Sequence, residues 1–190
     1  GQSAKASTFS QDDLTTDLKC VLDYFKCDEA TIVGYGLGGY VAQSLVLKHQ
    51  KYSKEKVARL VLLSSFAVSP CSLWERIFLV SVSSGLMHAF CRSKVISRVI
   101  ARRLFGVAFN KTMLEEWRRS ILNTPPNVWK KTSAATQSDL RKNQGNISIP
   151  TLIICGDQDL FYSSCQKSHF AHMRGHAERI WLDRMGHLTP

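Results

Sequence analysis

Ser10-Gln-Asp-Asp13 opens the first periodic segment, and beyond it Leu14, Leu18, Val21, Leu22 and Phe25 recur at helical spacing. Ser10 is placed to accept a backbone N–H and Asp13 to favour the first turn, the pairing of a capping box. The period then gives way to short apolar runs: Thr31-Ile-Val33, ended by Gly34, then Arg59-Leu-Val-Leu-Leu63, Pro150-Thr-Leu-Ile-Ile-Cys155 and Arg179-Ile-Trp-Leu182. Runs of this length, rich in branched side chains, predict buried strands. Helical stretches lie between them, over residues 38–49 and near 166–173, and the small residues Gly38, Gly39 and Ala42 suit close packing on a sheet. Unbroken apolar strands alternating with helices predict an α/β domain whose parallel sheet is covered on both faces.

Residues 66–148 break this alternation and read as several helices. In one of them Val95, Ile96, Val99, Ile100 and Leu104 share a face, while Arg92, Lys94, Arg98, Arg102 and Arg103 take much of the rest. Thr124-Pro-Pro-Asn127 interrupts the helical pattern. The predicted organisation is a core of residues 1–65 and 149–190, with residues 66–148 inserted as a basic helical unit. The longest apolar stretch, Ile77 to Phe90, is short, is broken by Ser and Gly, and lies between Arg76 and Arg92, so it does not span a membrane.

Charge sharpens this division. The chain of 190 residues has a net charge of +10, and its parts carry +1 over residues 1–65, +9 over 66–148 and 0 over 149–190. A field concentrated in the insert favours anionic surfaces and ligands. Nucleic acid is not expected, because no recognition motif accompanies the charge. The six cysteines, Cys20, Cys27, Cys71, Cys91, Cys155 and Cys165, show neither C-x-x-C nor regular spacing. That pattern predicts reduced thiols rather than a disulfide scaffold or zinc site, and with them a cytoplasmic setting. The sequons at Asn110 and Asn146 carry no weight in such a setting. No metal or cofactor motif accompanies the cysteines.

The chemistry concentrates at Gly34-Tyr-Gly-Leu-Gly-Gly39, which follows a strand and opens a helix. Gly34, Gly36 and Gly39 have the spacing of a dinucleotide fingerprint, but the next acidic residue is Glu55, in a Lys-rich segment read as a loop. Gly34, Gly36 and Gly38 alternatively match G-x-S-x-G, in which a strained turn projects one side chain from the sheet, with Gly36 where the serine belongs. Downstream, Gly156-Asp-Gln-Asp159 follows one strand and Arg184-Met-Gly-His-Leu188 follows the last.

With these segments in this order, the chain resembles the α/β-hydrolase family over residues 1–65 and 149–190. Gly1-Gln-Ser3 resembles the end of that family's loop after its fourth strand. The resemblance implies an incomplete parallel-sheet core whose early strands precede Gly1 and whose last helix follows Pro190. It makes residues 66–148 the substrate-selecting cap. It also implies Asp159 as triad acid, His187 as base and Leu37 N–H as an oxyanion-hole donor, with Asp157 a second candidate for the acid.

The departure is Gly36, which has no oxygen or sulfur for His187 to activate. Tyr35 and Leu37 are expected to point away from the turn. Ser44 lies two turns along the helix, and Ser64 and Ser65 end the next strand, near enough to line a pocket without serving as nucleophile. Glycine at 36 suits the backbone angles of such a turn, and equally marks a natural loss of activity or an introduced replacement of Ser.

Two functions follow from the resemblance: a carboxyl-ester hydrolase lineage acting on a lipid or small ester, impaired at Gly36, or a non-enzymatic binding protein of the same fold. Gly36-Leu-Gly-Gly-Tyr-Val-Ala-Gln43 and Leu62-Leu-Ser-Ser-Phe66 also resemble, more distantly, maspardin, a member of this fold thought to act through protein partners. Within the insert, Trp74, Phe78, Leu79, Leu86, Met87 and Phe90 suit either an acyl pocket or plain core. Arg98, Arg102, Arg103, Arg118 and Arg119 suit anionic lipid head groups, hence peripheral membrane contact.

Overall fold

A computed structural model describes residues 9–69, 72–107, 109–136, 138–159, 172–173 and 175–187. Helix α1 (Gln11–Tyr24) begins with the anticipated capping box, Ser10 Oγ accepting from Asp13 N–H at 3.1 Å and Asp13 accepting from Ser10 N–H at 2.8 Å. Its inward face differs from the one the apolar spacing predicts: Gln11, Thr15 and Leu22 are buried, with Leu18 partly so, while Val21 and Phe25 are exposed. Leu18 and Leu22 keep the predicted side against the core, and the Gln11 amide extends that face by donating to Ser44 Oγ at 2.8 Å on the neighbouring helix.

Strand β1 (Ala30–Tyr35) turns at Gly36 into α2 (Leu37–Lys48). The Lys-rich segment expected to be a loop is instead a short helix, α3 (Gln50–Lys56), anchored by buried Ser53 and running into β2 (Val57–Leu63). Strands β3 (Thr151–Gly156) and β4 (Ala177–Leu182) complete a parallel sheet of order β1-β2-β3-β4. The helix anticipated near 166–173 lies outside the described residues except at 172 and 173, as does Gly1-Gln-Ser3.

One face of the sheet is closed by Leu22, Leu45, Leu60, Leu62 and Ile153, which belong to a single buried cluster. The other carries the alternate residues of the strands. On β1, Thr31, Val33 and Tyr35 alternate outward, Val33 being 59% exposed, and Glu178 and Ile180 do the same on β4. Strand β3 alternates too, burying Thr151, Ile153 and Cys155 while Leu152 and Ile154 stay half-buried.

Between β2 and β3 the chain forms α4 (Leu73–Ser83), α5 (Leu86–Arg92), α6 (Lys94–Phe105), α7 (Lys111–Asn123) and α8 (Pro126–Ala135), then a 3-10 turn over Arg141–Asn146. These helices share a core containing Val82, Met87, Cys91, Leu104 and Trp117. Where the insert leaves and rejoins the sheet its ends are bonded, Leu140 N–H to Ala67 O at 2.8 Å, and Gln144 donates to buried Gln43 on α2 at 2.8 Å. Tyr40 stacks on Phe66 and donates to Ser138 O at 3.0 Å, fastening the insert to α2.

Three expectations for the insert are overturned. On α6 the buried residues are Ser97, Ala101, Leu104 and Phe105, while Val95, Ile96 and Val99 face outward among the arginines. The wall is built by small and large residues interlocking with α5 and α7, so side-chain volume rather than hydropathy orients the helix. On α4 the inner side buries Glu75, which accepts from Ser69 Oγ at 2.5 Å, and Trp74 is 64% exposed; Leu86 on α5 is exposed as well. Arg118 does not join the surface cations. It is buried, and bonds Cys91 O at 2.8 Å and Glu115 at 2.7 Å, joining α7 to α5.

Among the described residues Cys20, Cys27, Cys91 and Cys155 are free thiols, and no helix is long and apolar enough to cross a membrane. Burial pushes the Cys91 thiol up to about 11, against the opposing charge of Arg118. Burial, reinforced by the Asp159 carboxylate, pushes Cys155 up to about 12. Since the thiolate is the reactive form, iodoacetamide near neutral pH will label exposed Cys20 in the native protein and leave Cys91 and Cys155 unmodified until unfolding. Peptide mass spectrometry reads this directly, and native labelling of Cys155 would contradict its placement in the sheet.

Candidate active site

The carboxyl ends of the parallel strands meet at one edge, where ligands of open α/β sheets bind. At the end of β1, Gly36 has φ +50° and ψ −114°, a conformation that costs an L side chain strain and glycine little. The turn is held from three sides. Gly36 N–H donates to Leu63 O at 3.0 Å, its carbonyl accepts from Ser65 Oγ at 3.0 Å, and Tyr40 N–H reaches the same carbonyl at 3.3 Å.

Strand and helix pass so closely that a Cβ on Gly34 would lie 2.5 Å from Gly39 Cα, and one on Gly39 would overlap the Ser65 side chain. This mutual contact accounts for the spacing of Gly34 and Gly39 without a dinucleotide. Gly36 and Gly38 are different: a Cβ on either meets no heavy atom within 4 Å.

Asp159 and His187 come from the loops after β3 and β4. His187 Nδ1 lies 2.9 Å from Asp159 Oδ2, the carboxylate being buried and the imidazole side chain 15% exposed. Asp157, the other candidate for the acid, is exposed. The two loops are sewn together by Gln158 N–H to Met185 O at 2.9 Å and Asp157 N–H to Leu182 O at 3.2 Å. Their approach requires Gly156 and Gly186, where any Cβ would strike the backbone of Met185 and of Leu104 respectively. The end of α6 braces the same loop, Val107 N–H bonding Arg184 O at 3.1 Å beside a bridge between Gly106 and Met185. The inserted helices therefore support the loop of His187 directly.

Gly36, Leu37 and His187 line one cavity of about 300 Å³, whose other walls include Phe78, Leu79, Trp117 and Trp129 of the insert. Leu37 opens α2, so its N–H is one of those a helix leaves without an internal partner. The Trp129 indole N–H is buried and has no acceptor among the described residues.

Tyr35 corrects the expectation that both neighbours of Gly36 point away. Tyr35 and Leu37 both line the cavity, and the Tyr35 hydroxyl donates to His187 O at 3.2 Å with the rings 5.8 Å apart. Burial, then the charge of Asp159, raises the Tyr35 phenol above its ordinary range. Ser44, bonded to Gln11 and to Tyr40 O, is structural, and neither Ser64 nor Ser65 lines the cavity. Ser65 instead braces the turn, a role visible only once β2 is seen to run beside β1. Of the residues expected to line an acyl pocket, Phe78 and Leu79 do; Met87 is buried in the insert's core with Phe90 against it.

The sheet, strand–turn–helix and carboxyl-edge cavity are those of an α/β-hydrolase fold. The structure is similar to an esterase from Exiguobacterium antarcticum (TM-score 0.81, 16% identity, 99% of this chain and 71% of that one). It is also similar to a bromoperoxidase from Bacillus anthracis (TM-score 0.76, 18% identity, 98% and 71%) and a hydrolase from Pseudomonas aeruginosa PA01 (TM-score 0.75, 23% identity, 99% and 69%). These likenesses establish the fold. The Ndr family matches over residues 1–187, and the chain belongs to that family. It is similar to Protein NDL3 of Arabidopsis thaliana, with 24% identity over 163 residues, covering 81% of this chain and 45% of that protein. The chain thus spans about half the length of the curated relative it matches.

Two substitutions separate the constraints at the turn. Gly34→Ala forces backbone apart and should destabilise the protein by about 1–3 kcal/mol, whereas Gly38→Ala, with open space and a helical site, should be neutral or slightly stabilising. Urea unfolding midpoints measure both, and equal effects would refute the close approach of Gly34 to Gly39. Ser65→Ala removes the bond to the Gly36 carbonyl and should cost about 1 kcal/mol in the same assay.

Proposed function

We propose that this chain is a hydrolase-fold protein of carboxyl-ester lineage that has given up nucleophilic catalysis and binds an apolar ester or lipid in the cavity beneath its cap. One observation carries the reading. The turn at Gly36 has the strained angles of a nucleophile-bearing strand–turn–helix, opens on the cavity shared with His187, and bears no side chain.

On this reading Gly36 occupies the nucleophile position, His187 is the base, Asp159 orients and supports its imidazole, and Leu37 N–H is an oxyanion donor. Acyl transfer by such a set begins when the base takes a proton from an attacking hydroxyl or thiol. Glycine supplies none, so no acyl-enzyme forms. A water in that space, activated by His187, leaves hydrolysis orders of magnitude slower. The remaining groups bind: aromatic and aliphatic walls for an acyl chain, and the Leu37 and Trp129 N–H groups for acceptor oxygens.

The likeness to an esterase supports the lineage, while Gly36 supports binding as present activity. A second reading, a scaffold acting through a protein partner, is favoured by the outer face of α4, where Leu73, Trp74, Ile77 and Val80 are all exposed.

The test is p-nitrophenyl ester turnover by the native protein, by Gly36→Ser and by Gly36→Ser/His187→Ala. The native protein should turn over no faster than buffer. A serine side chain at this position meets open space but costs about 1–2 kcal/mol for its positive φ, so folding is checked in parallel by circular dichroism. Turnover should appear in the Gly36→Ser variant and fall roughly 10²–10⁴-fold when His187 is removed from it. A folded Gly36→Ser variant without turnover would sink the lineage, and Gly36→Ser turnover unaffected by His187→Ala would sink the assigned roles.

A further inference from the structure

Helix α6 exposes what amphipathic helices of globular proteins bury. Val95 is 74% exposed, Val99 62% and Ile96 44%. These three share the outward side with exposed Arg98, Arg102 and Arg103, and α6 carries no acidic residue. Among the described residues none of these three arginines is in an ion pair; Arg102 lies over the Phe109 ring at 5.6 Å.

Packing explains why this face is free. Ser97, Ala101, Leu104 and Phe105 satisfy the contacts with the rest of the insert, leaving branched side chains and cations together on one surface. A merely solubilising face needs the charges but not the valines. Valine and isoleucine set among arginines are the composition of a helix lying in a membrane interface, where apolar tips enter the acyl boundary and guanidinium groups meet lipid phosphates.

We propose that α6 is a membrane-docking helix that seats this protein on an anionic phospholipid bilayer. The occupant follows from charge complementarity. The insert holds +9 of the chain's net +10, and on α6 cations and apolar residues share one exposed side. Each cation near such a surface strengthens binding about fivefold, and the valines add apolar burial that salt does not screen. Docking is independent of the cavity ligand proposed above. It nevertheless brings the membrane to the helix whose end braces the His187 loop.

The experiment is co-sedimentation of the purified protein with phosphatidylcholine vesicles, with and without phosphatidylserine, at low and high salt. Binding should require phosphatidylserine at low salt. Arg98→Gln/Arg102→Gln should weaken it about ten- to thirtyfold, and Val95→Gln/Val99→Gln about tenfold, with unfolding midpoints unchanged because all four side chains are exposed. Equal binding to both vesicle types, or full binding by the valine variant, would overturn the proposal. So would light scattering that shows a dimer lost in the valine variant without vesicle binding, which would assign the face to a second copy of the chain. Ester turnover by Gly36→Ser is read separately, so failure of either idea leaves the other standing.

Discussion

The architecture of the site depends on backbones approaching where no side chain can intervene. Gly34 lies against Gly39 and Gly39 against Ser65, drawing the first turn of α2 onto the ends of β1 and β2. At the other half of the site Gly156 and Gly186 do the same for the loops carrying Asp159 and His187, and Gly106 admits the end of α6. At Gly34, Gly106, Gly156 and Gly186 such contacts leave little room to relax, since an added methyl meets main chain. They hold the sheet edge in one shape whether or not catalysis occurs there.

Gly36 stands apart from these glycines. Nothing crowds it, and only its φ favours glycine. With glycine at this φ the turn carries little conformational strain. The Asp159–His187 pair also persists, at 2.9 Å and largely shielded. A buried carboxylate needs a hydrogen-bond partner for structural reasons alone, so retention of the pair is as much a stability requirement of the fold as a mark of chemistry.

The insert couples surface to site. Its ends are bonded together at Ala67 and Leu140, its interior is tied by Arg118, and α6 abuts the strand of backbone preceding His187. Hydrogen bonds join the end of α6 to that loop, Val107 N–H to Arg184 O and Gly186 N–H to Phe105 O. Polar anchors of this sort fix orientation where apolar packing alone would permit sliding.

Much of the fold was legible in residue order: the capping box at Ser10, the strand runs around Ile32, Val61, Ile153 and Trp181, and the helical character of 66–148 all follow from local periodicity and turn chemistry. So did the segments bearing Gly36, Asp159 and His187, because short motifs survive without knowledge of distant contacts. What the tertiary structure alone decided was which side of each helix faces inward. On α1 Gln11 and Thr15 are buried beside Leu22 while Val21 and Phe25 are exposed, and on α4 and α6 Glu75, Ser97 and Ala101 are buried while valines and Trp74 stay outside. Ser65 as a brace and Tyr35 beside His187 were likewise hidden, since both depend on strands adjacent in space and distant in sequence. Hydropathy ranks side chains one at a time, whereas packing selects the set of surfaces that fit together.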